Sequence, residues 1–219
     1  MRTGVAQNGD IELFWMDEGS VDGDPVVLVN GAGSTAVMWC RELIDPLLAA
    51  GHRVVRFDNR DVGRSTRVPA EQPYMLEHLA ADLGAVLDAL ELGAAHLLGR
   101  SMGGATVLAF AADAIERVHS MTLVYTSPCL GDPRAHDLPG PARHVLEAMA
   151  EAAFEPPPQT AEERVERRVA DTRLFAGSRY PFDEHWAQQE AVDDAQHEPH
   201  AEPGHGTAVM ASPALVPVL

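Results

Sequence analysis

The sequence predicts an α/β fold, with a mostly parallel sheet flanked by helices, and three observations carry that expectation. Short β-branched runs alternate with helical patterns from Ile11 to Tyr125, as strands joined by crossover helices do. Val26-Val-Leu-Val29 is continuously apolar, which suits a strand covered on both faces. Turn-forming Gly, Pro, Asn and Asp separate the runs.

In chain order, the turn Asn8-Gly9-Asp10 leads into a strand over Ile11 to Met16. Asp24-Pro25 and Asn30-Gly31 bound the strand at 26–29. A helical segment around Trp39 to Ala50 is stopped by Gly51, and Arg53-Val-Val-Arg-Phe57 forms the next strand. Leu79, Leu83, Val86, Leu87 and Leu90 recur at helical spacing, with Gly93 placed as a C-terminal cap. A strand at Ala95 to Leu98, a Gly-rich turn, a small-residue helix from Ala105 to about Ile115 and a strand at Met121 to Tyr125 complete the series. From Ser127 the character changes. Pro156-Pro-Pro158 breaks any regular element, and Thr160-Ala-Glu-Glu163 is a capping box that opens a charged helix. The expected organisation is a sheet core over 1–127, a helical cap insertion over 128–200, and a tail over 201–219 ending in the start of another strand at Val216 to Leu219.

Lys and Arg total 16 against 33 Asp and Glu, a formal charge of −17, so the surface repels phosphate backbones and anionic membranes. Nucleic acid and membrane are therefore not expected partners. The apolar stretch from Ala94 to Ile115 is broken by Arg100 and by glycines, and the first ten residues hold no signal-peptide core. Two cysteines, Cys40 and Cys129, make neither a disulfide framework nor a zinc quartet, and a cytoplasmic setting is expected. No cofactor or metal is called for. His197, His200 and His205 with Glu198 and Glu202 match no established metal-ligand spacing.

Gly99-Arg-Ser-Met-Gly103 fits G-x-S-x-G in the required context, with an apolar strand before it and a helix after it. A serine held on so tight a turn adopts a strained backbone, and its flanking positions leave no room for a Cβ. Ser101 is thereby lifted to a helix N-terminus, where developing negative charge is favoured, and the Met102 N–H faces the place where an oxyanion forms. A serine at the elbow, rather than a carboxylate, favours acyl transfer over alkyl-enzyme chemistry.

Three segments together give a resemblance. From Ile11 to about Pro128 the chain resembles the front half of an α/β-hydrolase of the group that includes aclacinomycin methylesterases and cofactor-free haloperoxidases. Val29-Asn-Gly-Ala-Gly-Ser34 stands where that family has a His-Gly-x-Gly oxyanion loop, with Asn30 in place of the His. Phe57-Asp-Asn-Arg-Asp-Val-Gly-Arg-Ser65 resembles its Asp-x-Arg-x-x-Gly-x-Ser loop, and Gly99 to Gly104 is the elbow. The resemblance implies Ser101 as the nucleophile and the amides of Ala32 and Met102 as the oxyanion hole. Asp58 and Arg60 are expected to tie their loop rather than to catalyse.

The family order Ser, acid, His places the last two partners after the cap, and no such loops follow here, so the acid and the histidine are expected to be absent. Asp132 reads as a Gly-Asp-Pro turn residue or as an acid, and His205, between Gly204 and Gly206, as a tail histidine or a base. A sheet without its last strands leaves an open parallel edge through which the chain could pair as a homodimer. The expected function is hydrolysis of a small-molecule carboxylic ester through an acyl-enzyme on Ser101. The alternatives are a catalytically incomplete binding module and a cofactor-free perhydrolase or haloperoxidase. Met149, Phe154, Phe175, Phe182 and Trp186 read either as an apolar acyl site or as packing.

Overall fold

A computed structural model describes residues 1–69, 71–128, 142–152, 158–197 and 205. Among these residues the sheet has six strands: β1 (Arg2–Asn8), β2 (Ile11–Glu18), β3 (Pro25–Val29), β4 (Arg53–Phe57), β5 (Ala95–Arg100) and β6 (Val118–Val124), in the spatial order β1-β2-β4-β3-β5-β6. β1 and β2 form an antiparallel pair and β2 runs antiparallel to β4, while β4, β3, β5 and β6 are parallel. Parallel strands need crossovers, supplied here by α1 (Arg41–Ala49), α2 (Leu76–Ala89) and α3 (Met102–Asp113). The sheet core is Val27, Val29, Val55, Phe57 and Leu97 against Leu83, Val86 and Leu87 of α2 and Val107 and Phe110 of α3.

All five residues of β4 are buried, two of them arginines. Each is matched from β2. Arg53 meets the Asp17 carboxylate at 2.9 Å, and Arg56 meets Glu18 at 2.5 Å. Buried cations persist only when paired in this way.

The two sheet-core boundaries expected to fall later begin earlier. α3 starts at Met102 rather than Ala105, immediately after the elbow, and β6 starts at Val118 rather than Met121. β1 was not foreseen. β6 is bordered by β5 alone among the described residues, and Met121 and Leu123 on it are each 38% exposed. The proposed strand start at Val216 to Leu219 lies outside the described residues.

The cap of α2 differs from expectation. Glu91, not Gly93, takes the left-handed conformation, with φ 55. Its N–H donates to the Asp88 carbonyl at 3.0 Å and the Leu92 N–H donates to the Leu87 carbonyl at 2.8 Å. Those two bonds, with Leu87 and Leu92 packed in one cluster, are a Schellman ending. α1 ends the same way with Gly51 at φ 90. A glutamate in that conformation is strained by its Cβ, so Glu91→Gly should raise stability by about 0.5–1 kcal/mol, read as a higher urea midpoint. An unchanged or lower midpoint refutes the strain.

The chain divides into two compact units, residues 1–132 with 202–219, and 133–201. Within the second, α5 (Ala161–Phe175) packs on α6 (Glu184–His197), and α4 (Arg143–Ala152) precedes them. The capping box forms as expected, the Glu163 N–H donating to Thr160 Oγ1 at 3.1 Å and the Thr160 N–H to the Glu163 carboxylate at 3.0 Å. The Gln159 and Thr160 N–H groups, which both donate to the Glu163 carboxylate, hold that carboxyl below its ordinary range. Val169, Ala187 and Ala191 form the small core, with Phe182 packed against it.

Candidate active site

Ser101 ends the extended run of β5 and precedes the first residue of α3, at φ 53 and ψ −120. That region is sparsely populated for any residue with a Cβ, so the turn stores strain. The Ser101 N–H donates to the Val124 carbonyl at 2.8 Å, and its own carbonyl accepts from the Gly104 N–H at 2.9 Å. The turn is therefore held from both sides. Ser101 is half-buried, and among the described residues none hydrogen-bonds its hydroxyl.

The flanking glycines answer a packing demand. A Cβ on Gly99 would come within 2.6 Å of the Gly104 Cα, and one on Gly103 within 2.6 Å of the Asn30 carbonyl oxygen. Real Cβ atoms do not approach that closely, so the elbow presses backbone on backbone against the end of β3. The Met102 amide lies in the first turn of α3, whose leading N–H groups have no intrahelical acceptor. The Met102 side chain is buried with Tyr74, Leu76, Leu79 and Ala105.

Beside the elbow runs the loop after β3. A Cβ on Gly31 would lie 3.2 Å from the Ser101 Cβ, so this backbone passes directly over the serine. The Ser34 N–H donates to the Gly31 carbonyl at 3.3 Å, closing a turn with Ala32 and Gly33 at its centre. Gly33 has φ 65, the left-handed third position that a type II turn requires. Ala32 is exposed.

Asn30, where the resembling family has histidine, holds the frame. Its Oδ1 accepts from the Arg100 guanidinium at 2.9 Å, its Nδ2 donates to the Thr35 carbonyl at 2.5 Å, and its own carbonyl accepts from Asn59 Nδ2 at 3.2 Å. The ends of β3, β4 and β5 are thereby joined by one side chain and one carbonyl.

Asp58 and Arg60 are structural ties. The Asp58 carboxylate accepts from the Ala36 N–H at 2.7 Å and the Arg64 N–H at 2.9 Å, while Ser65 Oγ donates to the Asp58 carbonyl at 2.7 Å. Arg60 reaches Asp82 of α2, with Nε–Oδ2 at 2.6 Å and a second bond at 2.7 Å. Its guanidinium also lies 5.2 Å from the Tyr74 ring centre. The Tyr74 hydroxyl donates to Asp61 at 2.8 Å, and burial together with that carboxylate pushes its pKa far up.

His205, which the sequence leaves as a tail histidine or a base, is neither exposed nor bonded to Ser101. It is buried at 1% exposure, in the same unit as the sheet. Nδ1 accepts from the Gly33 N–H at 3.0 Å, and Nε2–H donates to the Arg60 carbonyl at 2.7 Å. A backbone N–H only donates and a carbonyl only accepts, so these partners fix the neutral ring with its proton on Nε2. Burial lowers the pKa, which keeps the ring neutral. With both nitrogens so engaged, His205 is not a base for Ser101 in this arrangement. His197 is buried at the end of α6, whereas Asp132, His200, Glu198 and Glu202 lie outside the described residues. Among the described residues no cluster could hold a metal ion. Of the apolar residues considered for an acyl site, Phe175 is 59% exposed and Phe182 packs within its own unit. Trp186 is 38% exposed. The Met149 side chain and Phe154 lie outside the described residues.

The alpha/beta hydrolase fold family matches residues 24–172, a span that includes the loop after β3 and the elbow. The chain belongs to the α/β-hydrolase fold family. Two relatives within it are the rhodomycin D methylesterases DnrP of Streptomyces peucetius and DauP of Streptomyces sp. strain C5, each 35% identical over 196 residues, which is 84% of this chain. The chain spans 65% of the length of each. Among solved structures, a bromoperoxidase from Bacillus anthracis superposes with a TM-score of 0.75 at 23% identity, over 97% of this chain and 75% of that one. An esterase from Exiguobacterium antarcticum gives 0.71 at 24% identity, over 98% and 75%. At those identities the two solved structures speak for the hydrolase fold alone. Within the described residues, no helix of this family member is long and apolar enough to cross a membrane.

Proposed function

We propose that the chain is a serine hydrolase of small-molecule carboxylic esters, acting through an acyl-enzyme on Ser101. The observation that carries this reading is the Ser101 backbone, held at φ 53 and ψ −120 between β5 and α3 with the Gly31 backbone over its side chain. Strain of that kind persists only where surrounding structure enforces it, and it sets Oγ out from the turn. The rhodomycin D methylesterases support the substrate class, because they are named for hydrolysing a methyl ester.

In this reading Ser101 Oγ attacks the ester carbonyl carbon. The carbonyl π electrons move onto oxygen, and the amides of Ala32 and Met102 donate to that oxyanion. Its collapse expels the alcohol, which takes the proton lost by Ser101, and water then cleaves the acyl-serine to the acid. The proton transfers need a base, and none among the described residues hydrogen-bonds Oγ. The helices between β6 and His205 occupy the place in chain order of a substrate-selecting cap. The exposed strip along β6 supports self-association through that edge, and a cytoplasmic setting completes the reading.

That no described residue hydrogen-bonds Oγ favours a second reading, a catalytically incomplete module that retains the elbow. A fluorophosphonate probe distinguishes the two. An assembled site should give a covalent adduct on the peptide containing Ser101, formed at least about a hundredfold faster than background labelling of the Ser101→Ala chain. Equal labelling of the two chains eliminates the enzyme and leaves the module.

A further inference from the structure

We propose that His205 is a positioning residue for the oxyanion turn, a strut that fixes the Gly31–Ser34 loop to the chain after β4. The proposal rests on the reading of the Ala32 amide as an oxyanion donor. Three observations lead to it.

The first is which amide the imidazole binds. Gly33 N–H belongs to the peptide between Ala32 and Gly33, the central peptide of the turn closed by Ser34 N–H on the Gly31 carbonyl. That peptide is the one whose rotation interconverts type I and type II turns, and only type II has a left-handed third residue. Gly33 stands at φ 65. An acceptor at 3.0 Å on its N–H therefore selects one orientation of the peptide adjoining the Ala32 amide.

The second is what stands behind the imidazole. Nε2–H is held by the Arg60 carbonyl, and Arg60 is clamped by the fully buried Asp82 of α2 through two bonds of 2.6 and 2.7 Å. Asp82 also accepts from Asn8 Nδ2 at 2.7 Å, which ties α2 to the end of β1. The oxyanion turn is thus referred, through one side chain, to the rigid body of the sheet.

The third is that the ring has nothing else to do. It is almost wholly buried, edge-on to Tyr74 with ring centres 6.3 Å apart, and its two hydrogen bonds use both nitrogens. A leucine of similar volume would fill the space, but it could neither accept from the Gly33 N–H nor donate to the Arg60 carbonyl.

The turn carries a transition-state donor, so loosening it should reduce kcat more than it changes KM. His205→Ala is expected to lower kcat on an aryl acetate about tenfold with KM within about twofold, because a misdirected donor costs less than a deleted one. His205→Asn, whose carbonyl oxygen stands near the place of Nδ1, should recover most of that loss. An activity-independent readout accompanies it. In the unsubstituted chain, nitrogen NMR should find His205 with its proton on Nε2, and the Gly33 amide should exchange at least about tenfold more slowly than in His205→Ala. Slow exchange at Gly33 that His205→Ala abolishes and His205→Asn restores supports the strut even if no ester is turned over, which would count against the enzyme reading alone. Should His205→Ala fail to fold, the tautomer in the unsubstituted chain and the Asn variant decide. A proton on Nδ1, or unchanged Gly33 exchange and kcat after substitution, overturns the proposal. So does loss of all probe labelling in His205→Asn with Gly33 still protected, since that would make His205 the base.

Discussion

Ser101→Gly is expected to yield a chain about 1 kcal/mol more stable than the unsubstituted protein and devoid of acyl-transfer chemistry. The backbone at residue 101 lies where a Cβ costs about 1–3 kcal/mol and where glycine is at ease. Against that gain stands the greater freedom of glycine in the unfolded chain, about 0.5–1 kcal/mol. The urea midpoint should rise with the denaturant slope unchanged. Ser101→Ala separates the two effects, for it keeps the Cβ and so keeps the strain. It should lose turnover by about six orders of magnitude, as removal of a nucleophile does elsewhere, yet gain nothing in midpoint. A Gly variant no more stable than the Ala variant would show that the elbow holds no strain.

The second large effect concerns Asp82. Asp82→Ala should destabilise the chain by about 3–5 kcal/mol, because it leaves the Arg60 guanidinium buried without its counter-ion. The carboxylate is wholly buried and Arg60 nearly so, and removing it also strands the Asn8 amide. The other Arg60 contacts, a 3.3 Å bond to the His78 carbonyl and the face of Tyr74, are too weak to compensate. Replacing both partners, Arg60→Met with Asp82→Leu, should recover most of the loss, since an apolar pair of similar volume carries no unpaired charge. Chemical denaturation of the single and double variants checks both statements. A single-variant loss below about 1 kcal/mol would mean that water reaches the guanidinium.

How much of this was legible in the sequence depends on the range of the signal. β3 announces itself because a continuous apolar run reflects burial on both faces, and the elbow does because its strand, glycines and helix are contiguous. β1 was missed because Arg2-Thr-Gly-Val-Ala-Gln-Asn8 is neither apolar nor regularly alternating. Among the described residues it pairs with β2 alone, where Trp15 lies over Gly4. Gly93 suggests an α2 ending two residues too late, because the Leu87–Leu92 contact and not the nearest glycine positions the turn. Arg60 reads as a tie from its loop motif, but Asp82 reads as an ordinary polar-face residue until the helix is docked. His205 lies at the far extreme. Its partners are 172 and 145 residues away, and its local signal, one histidine between two glycines, is shared by any polar tail.

The glycines around Ser101 have a consequence for lineages of this fold. Gly99 and Gly103 are closed to other residues by neighbouring backbone, a restriction indifferent to whether any ester is ever cleaved. A descendant that abandoned hydrolysis would still have to inherit them to fold. The skeleton of the motif is thus a fossil of architecture, and of the elbow's side chains only the alcohol speaks to chemistry.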